Sequence, residues 1–216
     1  MDWETAASGR AEVRHLFVNA ADHVETRLVR FPAGSATGGA PELLGRDVLV
    51  VSGDFEADGV RLEEGDFHRA VGAAVSGRTK SGCVLLTVRE NGSSAGTGEA
   101  PDVGSLEDAK TIRADEGEWV ELGPGARMKP LDEDPEHRVE MGIVRLEPGA
   151  DYRSEREDGA EELVVIRGDC ICQGRRLGPG DFARVEAGVD GPDGTSVSDP
   201  AARTEGGCEL ARIARV

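Results

Sequence analysis

No stretch of this 216-residue sequence is apolar for long enough to cross a bilayer as a helix. Its longest wholly apolar runs, such as Val48 to Val51 and Leu163 to Ile166, span about four residues, where a membrane helix needs about 20. The opening MDWETAASGR has neither a basic segment nor an apolar one behind it, so no secretory leader is read there and the expected location is the cytoplasm. Lysine is scarce, with only Lys80, Lys110 and Lys129, and acids outnumber bases 42 to 25 for a net charge of −17. Such a surface repels phosphate backbones and anionic lipid headgroups, which argues against nucleic acid and membrane as partners. The acid excess is spread along the whole chain and reads as a solvated surface.

The four cysteines make no CxxC pair. Cys83 and Cys208 stand alone, while Cys170 and Cys172 alternate on one strand and read as buried packing ahead of a soft-metal or oxidant-sensing pair. His15, His23, His68 and His137 are scattered and read as surface or satisfied core residues. No Gly-x-Ser-x-Gly elbow or Walker-type phosphate loop occurs among the glycines.

What the chain does contain is a copy of itself. Shifted by about 115 residues, RFPAG (Arg30 to Gly34) meets RLEPG (Arg145 to Gly149), and VLVVSGDFEADGVRLEEGDFHR (Val48 to Arg69) meets LVVIRGDCICQGRRLGPGDFAR (Leu163 to Arg184). Downstream, SGCVLLTVRE (Ser81 to Glu90) matches GGCELARIAR (Gly206 to Arg215) once about ten inserted residues are allowed for. Trp3 and Trp119 head the two copies and read as plugs of a barrel or of an interface. Two copies are too few for a solenoid, so a duplicated domain is expected. The Gly-, Ser- and Pro-rich stretch NGSSAGTGEAPDVGS supplies the linker, giving domains at 1–92 and 113–216 joined by 93–112.

Within each copy the segments are short, rich in Val, Leu and Ile, and punctuated by Gly or Asp, a pattern that predicts an all-β fold of strands joined by tight turns. Ser105 in SLEDAK carries a start signal for one short helix.

The second copy also has a spacing that resembles the first motif of the cupin family: glycine, five residues, His-x-His, three or four residues, Glu, six residues, glycine. Gly149, Glu155, Glu157, Glu161 and Gly168 occupy those positions, with glutamates where the histidines stand. The following GRRLGPGDFARVEAG resembles the next strands of that family and brings its fourth ligand position on or near Asp190. With the closing GGC and SGC segments, the chain resembles a bicupin of the ChrR-like subgroup, which implies two tandem double-stranded β-helix (jelly-roll) barrels.

The resemblance also implies a site. Glu155, Glu157, Glu161 and Asp190 would be an all-oxygen set suited to a hard divalent ion such as Mn, Ca or Mg, or to Fe. Without a cation, carboxylates about 4 Å apart repel by roughly 4 kcal/mol at an effective dielectric near 20, so either a positive group sits beside them or the site is wet. Arg153 shares strand parity with Glu155 and Glu157 and is the expected source of that charge. In the first copy the same positions hold Ala40, Glu42 and Arg46, a set expected to form a Glu42 to Arg46 ion pair in place of a metal. The reading favours no metal in the second barrel, with one divalent ion there as the alternative.

Two functions follow from the resemblance. One is a small-molecule-binding or regulatory module whose metal site is lost or altered, acting on a small ligand or a protein partner, with exposed barrel edges inviting a homodimer. The other is a metal-dependent enzyme of dioxygenase or isomerase type using the carboxylates of the C-terminal barrel. Anti-sigma action by the ChrR route is disfavoured, since no cysteine lies near His15 or His23 to build the zinc half.

Overall fold

The computed structural model describes residues 2–19, 24–37, 43–70, 74–90, 109–134, 139–154, 160–186 and 201–215. These residues form strands and turns, without a helix, and none of them forms a helix long and apolar enough to cross a membrane. The helix signal at Ser105 lies outside them.

The chain divides into two compact units, Met1–Glu116 and Gly117–Val216. The first contains β1 (Glu4–Thr5), β2 (Glu12–Asn19), β3 (Val24–Phe31), β4 (Asp47–Ala57), β5 (Val60–Glu63), β6 (Phe67–Arg69), β7 (Gly77–Arg78), β8 (Cys83–Glu90) and β9 (Lys110–Ile112). Its antiparallel sheet runs β1-β2-β3-β8-β4-β6-β9, with β5 and β7 paired to the far half of β4. The second contains β10 (Val120–Gly123), β11 (Ala126–Asp134), β12 (Val139–Leu146), β13 (Asp151–Tyr152), β14 (Ala160–Gly168), β15 (Cys170–Cys172), β16 (Arg175–Leu177), β17 (Phe182–Glu186), β18 (Ala202–Arg203) and β19 (Cys208–Arg215). It has two sheets, β10-β11-β12-β19-β14-β17 and β13-β18-β15-β16.

The order of the long strands is the same in both units: β2-β3-β8-β4 corresponds to β11-β12-β19-β14. The boundary falls four residues later than the sequence suggests. Residues 93–108 of the expected linker lie outside the described set, but Lys110–Ile112 is a strand on β6, and Ala114 N donates to Asp66 Oδ1 at 2.7 Å. The segment up to Glu116 therefore belongs to the first unit.

Matching turn chemistry explains why both copies fold alike. Gly65 and Gly180, both at positive φ, donate their N–H groups to Val50 O and Val165 O, each at 2.8 Å. In the same turns Asp66 Oδ2 accepts from Glu63 N and Asp181 Oδ2 from Gly178 N, each at 3.0 Å. A tighter constraint sits where β4 and β14 pass the last long strand. A Cβ on Gly53 would lie 2.0 Å from Gly82 O, and one on Gly168 would lie 2.2 Å from Gly207 O, so no side chain fits at either crossing.

Alternation then fills each interior. In the second unit Leu163 and Val165 of β14, Val144 and Leu146 of β12, and Cys208 and Leu210 of β19 point into one core cluster. In the first, Val48 and Val50, Val29 and Phe31, and Cys83 and Leu85 do the same. Each fully buried Val, Leu or Phe contributes about 1.5–3 kcal/mol. Following these faces two residues further along the strands leads from the apolar end of each interior to a polar one.

Candidate functional site at the polar end of the second barrel

On β14 the core-facing parity of Leu163 and Val165 continues to Glu161, whose side chain is 1 % exposed. On β19 the parity of Cys208 and Leu210 continues to Arg212, and on β12 that of Val144 continues to Gly142 and Glu140. Tyr152, the sole tyrosine of the chain, enters from β13. Four strands thus deliver an acid, a base, a phenol and a second acid to one place.

These groups satisfy one another. Arg212 Nε and Nη2 lie 2.8 and 2.7 Å from Glu161 Oε1. Tyr152 donates its hydroxyl to Glu161 Oε2 at 2.9 Å and accepts from Arg212 Nε at 3.1 Å. Arg212 Nη1 reaches Glu140 Oε2 at 3.4 Å and Met128 Sδ at 3.9 Å. A buried carboxylate without such partners would cost several kcal/mol, so the pairing is a condition for placing Glu161 here at all. Burial, then the charge of Glu161, pushes the Tyr152 phenol up from its ordinary value, while Arg212 acts in the opposite sense. Burial pulls the Arg212 guanidinium down, but Tyr152 and Glu161 outweigh it and raise it overall, so it stays charged. Glu140, 39 % exposed at its side chain, marks the end of the cluster that meets water.

The space for Arg212 comes from its ladder partner. Gly142 stands directly opposite, and a Cβ there would come within 3.2 Å of Met128 Cγ and Sδ, which flank the guanidinium. A large residue faces the smallest one on this rung, which is how a close-packed interior accepts an arginine.

The ChrR cupin-like domain family model matches residues 107–196. Among solved structures, the chain is similar to a Pseudomonas aeruginosa protein named as glyoxylate-induced, at 15% identity and TM-score 0.65, covering 99% of this chain and 81% of that one. It is also similar to a cupin 2 conserved barrel domain protein from Leptotrichia buccalis, at 13% identity and TM-score 0.57, covering 99% and 92%. Residues 107–196 thus match a cupin-like domain, and the chain as a whole shares the fold of these cupin structures. A variant of oxalate decarboxylase from Bacillus subtilis shares this cupin fold at 13% identity and TM-score 0.61, covering 95% of this chain and 73% of that one. No sequence match was found among curated proteins.

Glu161 is where the cupin pattern puts its glutamate ligand, so the described residues can be tested against a metal. Of the four expected ligands only Glu161 is described, and it is engaged by the protein's own groups. Both carboxylate oxygens are taken, and the group nearest Oε1 is a guanidinium that a divalent cation would have to displace against like charge. Among the described residues no three His, Cys, Asp or Glu side chains are grouped to hold a metal ion. Glu155, Glu157 and Asp190 lie outside the described residues, as does Glu42 of the ion pair expected in the first unit.

The expected source of positive charge beside Glu155 and Glu157 is Arg153. The guanidinium that meets Glu161 is Arg212's; Arg153 is exposed, and its expected partners Glu155 and Glu157 lie outside the described residues. Arg212 was legible as an arginine on the otherwise apolar core face of the last strand, CELARIAR, but it lies outside the motif that carries the resemblance. In the first unit Arg46 stands in the place of Glu161, and its Nε is buried with no hydrogen-bond partner among the described residues.

His68 is a satisfied core residue, as expected, between Thr111 Oγ1 at 2.9 Å and Asp58 Oδ2 at 3.4 Å. His15 contacts Glu25. The two tryptophans are half-buried and each has a guanidinium over its ring, Arg30 on Trp3 at 3.9 Å and Arg145 on Trp119 at 4.4 Å, an arrangement the plug reading did not foresee.

Proposed function

We propose that this chain is a ChrR-like bicupin acting in the cytoplasm as a metal-independent small-molecule-binding or regulatory module. The observation that carries the reading is the Arg212 guanidinium on Glu161. A fixed cation of the protein's own occupies the charge role that a metal fills in a catalytic cupin, and it leaves no open coordination position for substrate or dioxygen. Glu140 and Arg212 Nη1 lie at the wetter end of the cluster, so a small polar ligand is expected to engage the module there. With a net charge of −17, the receiver of the binding event is a protein or a second copy of the chain rather than nucleic acid or a membrane.

Metal analysis of the full chain, purified without chelator and without a metal-affinity step, tests this reading. The expected result is substoichiometric Mn, Fe, Ca and Mg, with a thermal midpoint unchanged by EDTA. Stoichiometric Mn or Fe that EDTA removes, with loss of stability, would support the carboxylate-liganded enzyme instead.

A further inference from the structure

The second barrel contains a feature that the Glu161 cluster does not use. Three of the four cysteines, Cys170, Cys172 and Cys208, line its core cluster, and all are buried free thiols. Cys170 opens β15 in the four-stranded sheet, and Cys208 opens β19 in the six-stranded sheet. The glycine crossing brings them together. Gly168 pairs with Cys208 in the β14–β19 ladder, and with no side chain of its own it sits so close that a Cβ would fall 3.0 Å from Cys208 Cα and 3.2 Å from its Cβ. Two residues on, Cys170 shares a side-chain hydrogen bond with Cys208.

We infer that Cys170 and Cys208 are a redox-active dithiol that closes as a disulfide between the two sheets of the second barrel. The contact lowers the pKa of the Cys170 thiol, against burial and the charges of Asp169 and Asp181, and raises that of Cys208. Cys170 is therefore the nucleophile and Cys208 the resolving thiol. With a small hydroperoxide as oxidant, the Cys170 thiolate attacks the peroxide oxygen and the O–O bond breaks. The alcohol or water leaves with the proton that Cys170 had lost, and Cys170 becomes a sulfenic acid. The Cys208 sulfur then attacks that sulfur and expels water. Two thiols and one hydroperoxide thus give one disulfide, one alcohol (or water) and one water, with two electrons passing to the peroxide.

The other thiols are poorly placed for this chemistry. Cys172 lies beside Cys170 on the same face of one strand, where the Cβ bonds run parallel and do not converge as a disulfide requires. Burial, and then the charge of Cys170, pushes the Cys172 thiol up to about 12. Cys83 occupies the position of Cys208 in the first unit and has the matching threonine contact, to Thr79 where Cys208 has Thr204. The residue in the place of Cys170 is Phe55, so the first unit carries an internal control. The dithiol stands whether or not the barrel holds a metal.

The test treats the reduced full chain with hydrogen peroxide, quenches it, alkylates it under denaturing conditions and maps the peptides. Expected are an intact mass lower by two hydrogens and restored by dithiothreitol, one intrachain link between Cys170 and Cys208, and alkylated Cys83 and Cys172. In Cys208→Ser, dimedone is expected to capture Cys170 as its sulfenic acid, which the untreated-sequence chain does not accumulate. Full alkylation of all four thiols after treatment, a link involving Cys83 or Cys172, or oxidation only to sulfonic acid would each overturn the inference. Because the wild-type map alone decides, a misfolded variant does not rescue it.

Discussion

Rung for rung, the two units bury an arginine at the same height of the same strand pair but on opposite strands. In the first, Arg27 of β3 faces Thr87 of β8; in the second, Arg212 of β19 faces Gly142 of β12. The glutamate two rungs away is common to both, and it receives the guanidinium in both: Arg27 Nη1 lies 3.7 Å from Glu25 Oε2, and Arg212 Nη1 lies 3.4 Å from Glu140 Oε2. The units part at the next strand, where Glu161 of the second answers to Arg46 of the first. The two units therefore share the rung, the turn glycines and the ion-pair habit of the interior and differ in the sign of a key position. A buried charge survives such a change only if its partner changes with it.

That difference predicts unequal responses to removing the buried arginine. Arg212→Met leaves Glu161 buried without its cation and is expected to destabilise the chain by about 3–5 kcal/mol in urea unfolding. Arg27→Met is expected to cost less, because Glu25 keeps its contact with His15. Adding Glu161→Gln to Arg212→Met should recover much of the loss. Equal costs for the two arginines would break the comparison.

The shared features should instead respond alike. Gly53→Ala and Gly168→Ala each force a side chain against a carbonyl at a positive φ, and each is expected to cost at least about 2 kcal/mol. A tolerated substitution in one unit would show that the crossings are not equivalent.

Tyr152→Phe removes the hydroxyl that donates to Glu161 Oε2 and is expected to cost about 1.5–3 kcal/mol, in the range of a hydrogen bond to a charged group. Its counterpart in the first unit, Thr37, bonds only to the backbone of Gly77 in the contacts seen here, so Thr37→Val should cost about 1 kcal/mol.

The smallest effect is confined to alkaline pH. The Tyr152 phenol is raised in the fold, so the folded chain holds this proton more tightly than the unfolded one. The associated stability is complete below the ordinary tyrosine value of about 10 and is lost as pH rises above it. Since Tyr152 is the only tyrosine, phenolate absorbance should appear together with loss of the strand signal in circular dichroism. Phenolate formation near pH 10 in a chain that is still folded would place Tyr152 outside the cluster.

Much of the fold was legible in the sequence because its determinants are local. Gly65 with Asp66 and Gly180 with Asp181 fix their turns through bonds to residues three positions away or to the adjoining strand, and repeated local chemistry shows as repeated letters. The site was less legible because it is not local. Its need for a positive charge follows from Coulomb's law alone, but the arginine that answers it lies 51 residues from Glu161 and is identified by strand order and parity. Strand parity reaches Arg153, whose expected partners Glu155 and Glu157 lie outside the described residues, whereas only strand order reaches Arg212.

Anomalous diffraction at the manganese edge, from crystals of the full chain grown with excess Mn²⁺, tests the guanidinium-for-metal claim most directly. The account predicts no peak within coordination distance of Glu161 and an Arg212 side chain that stays on its carboxylate. A peak about 2.2 Å from the Glu161 oxygens, with Arg212 swung aside, would contradict it.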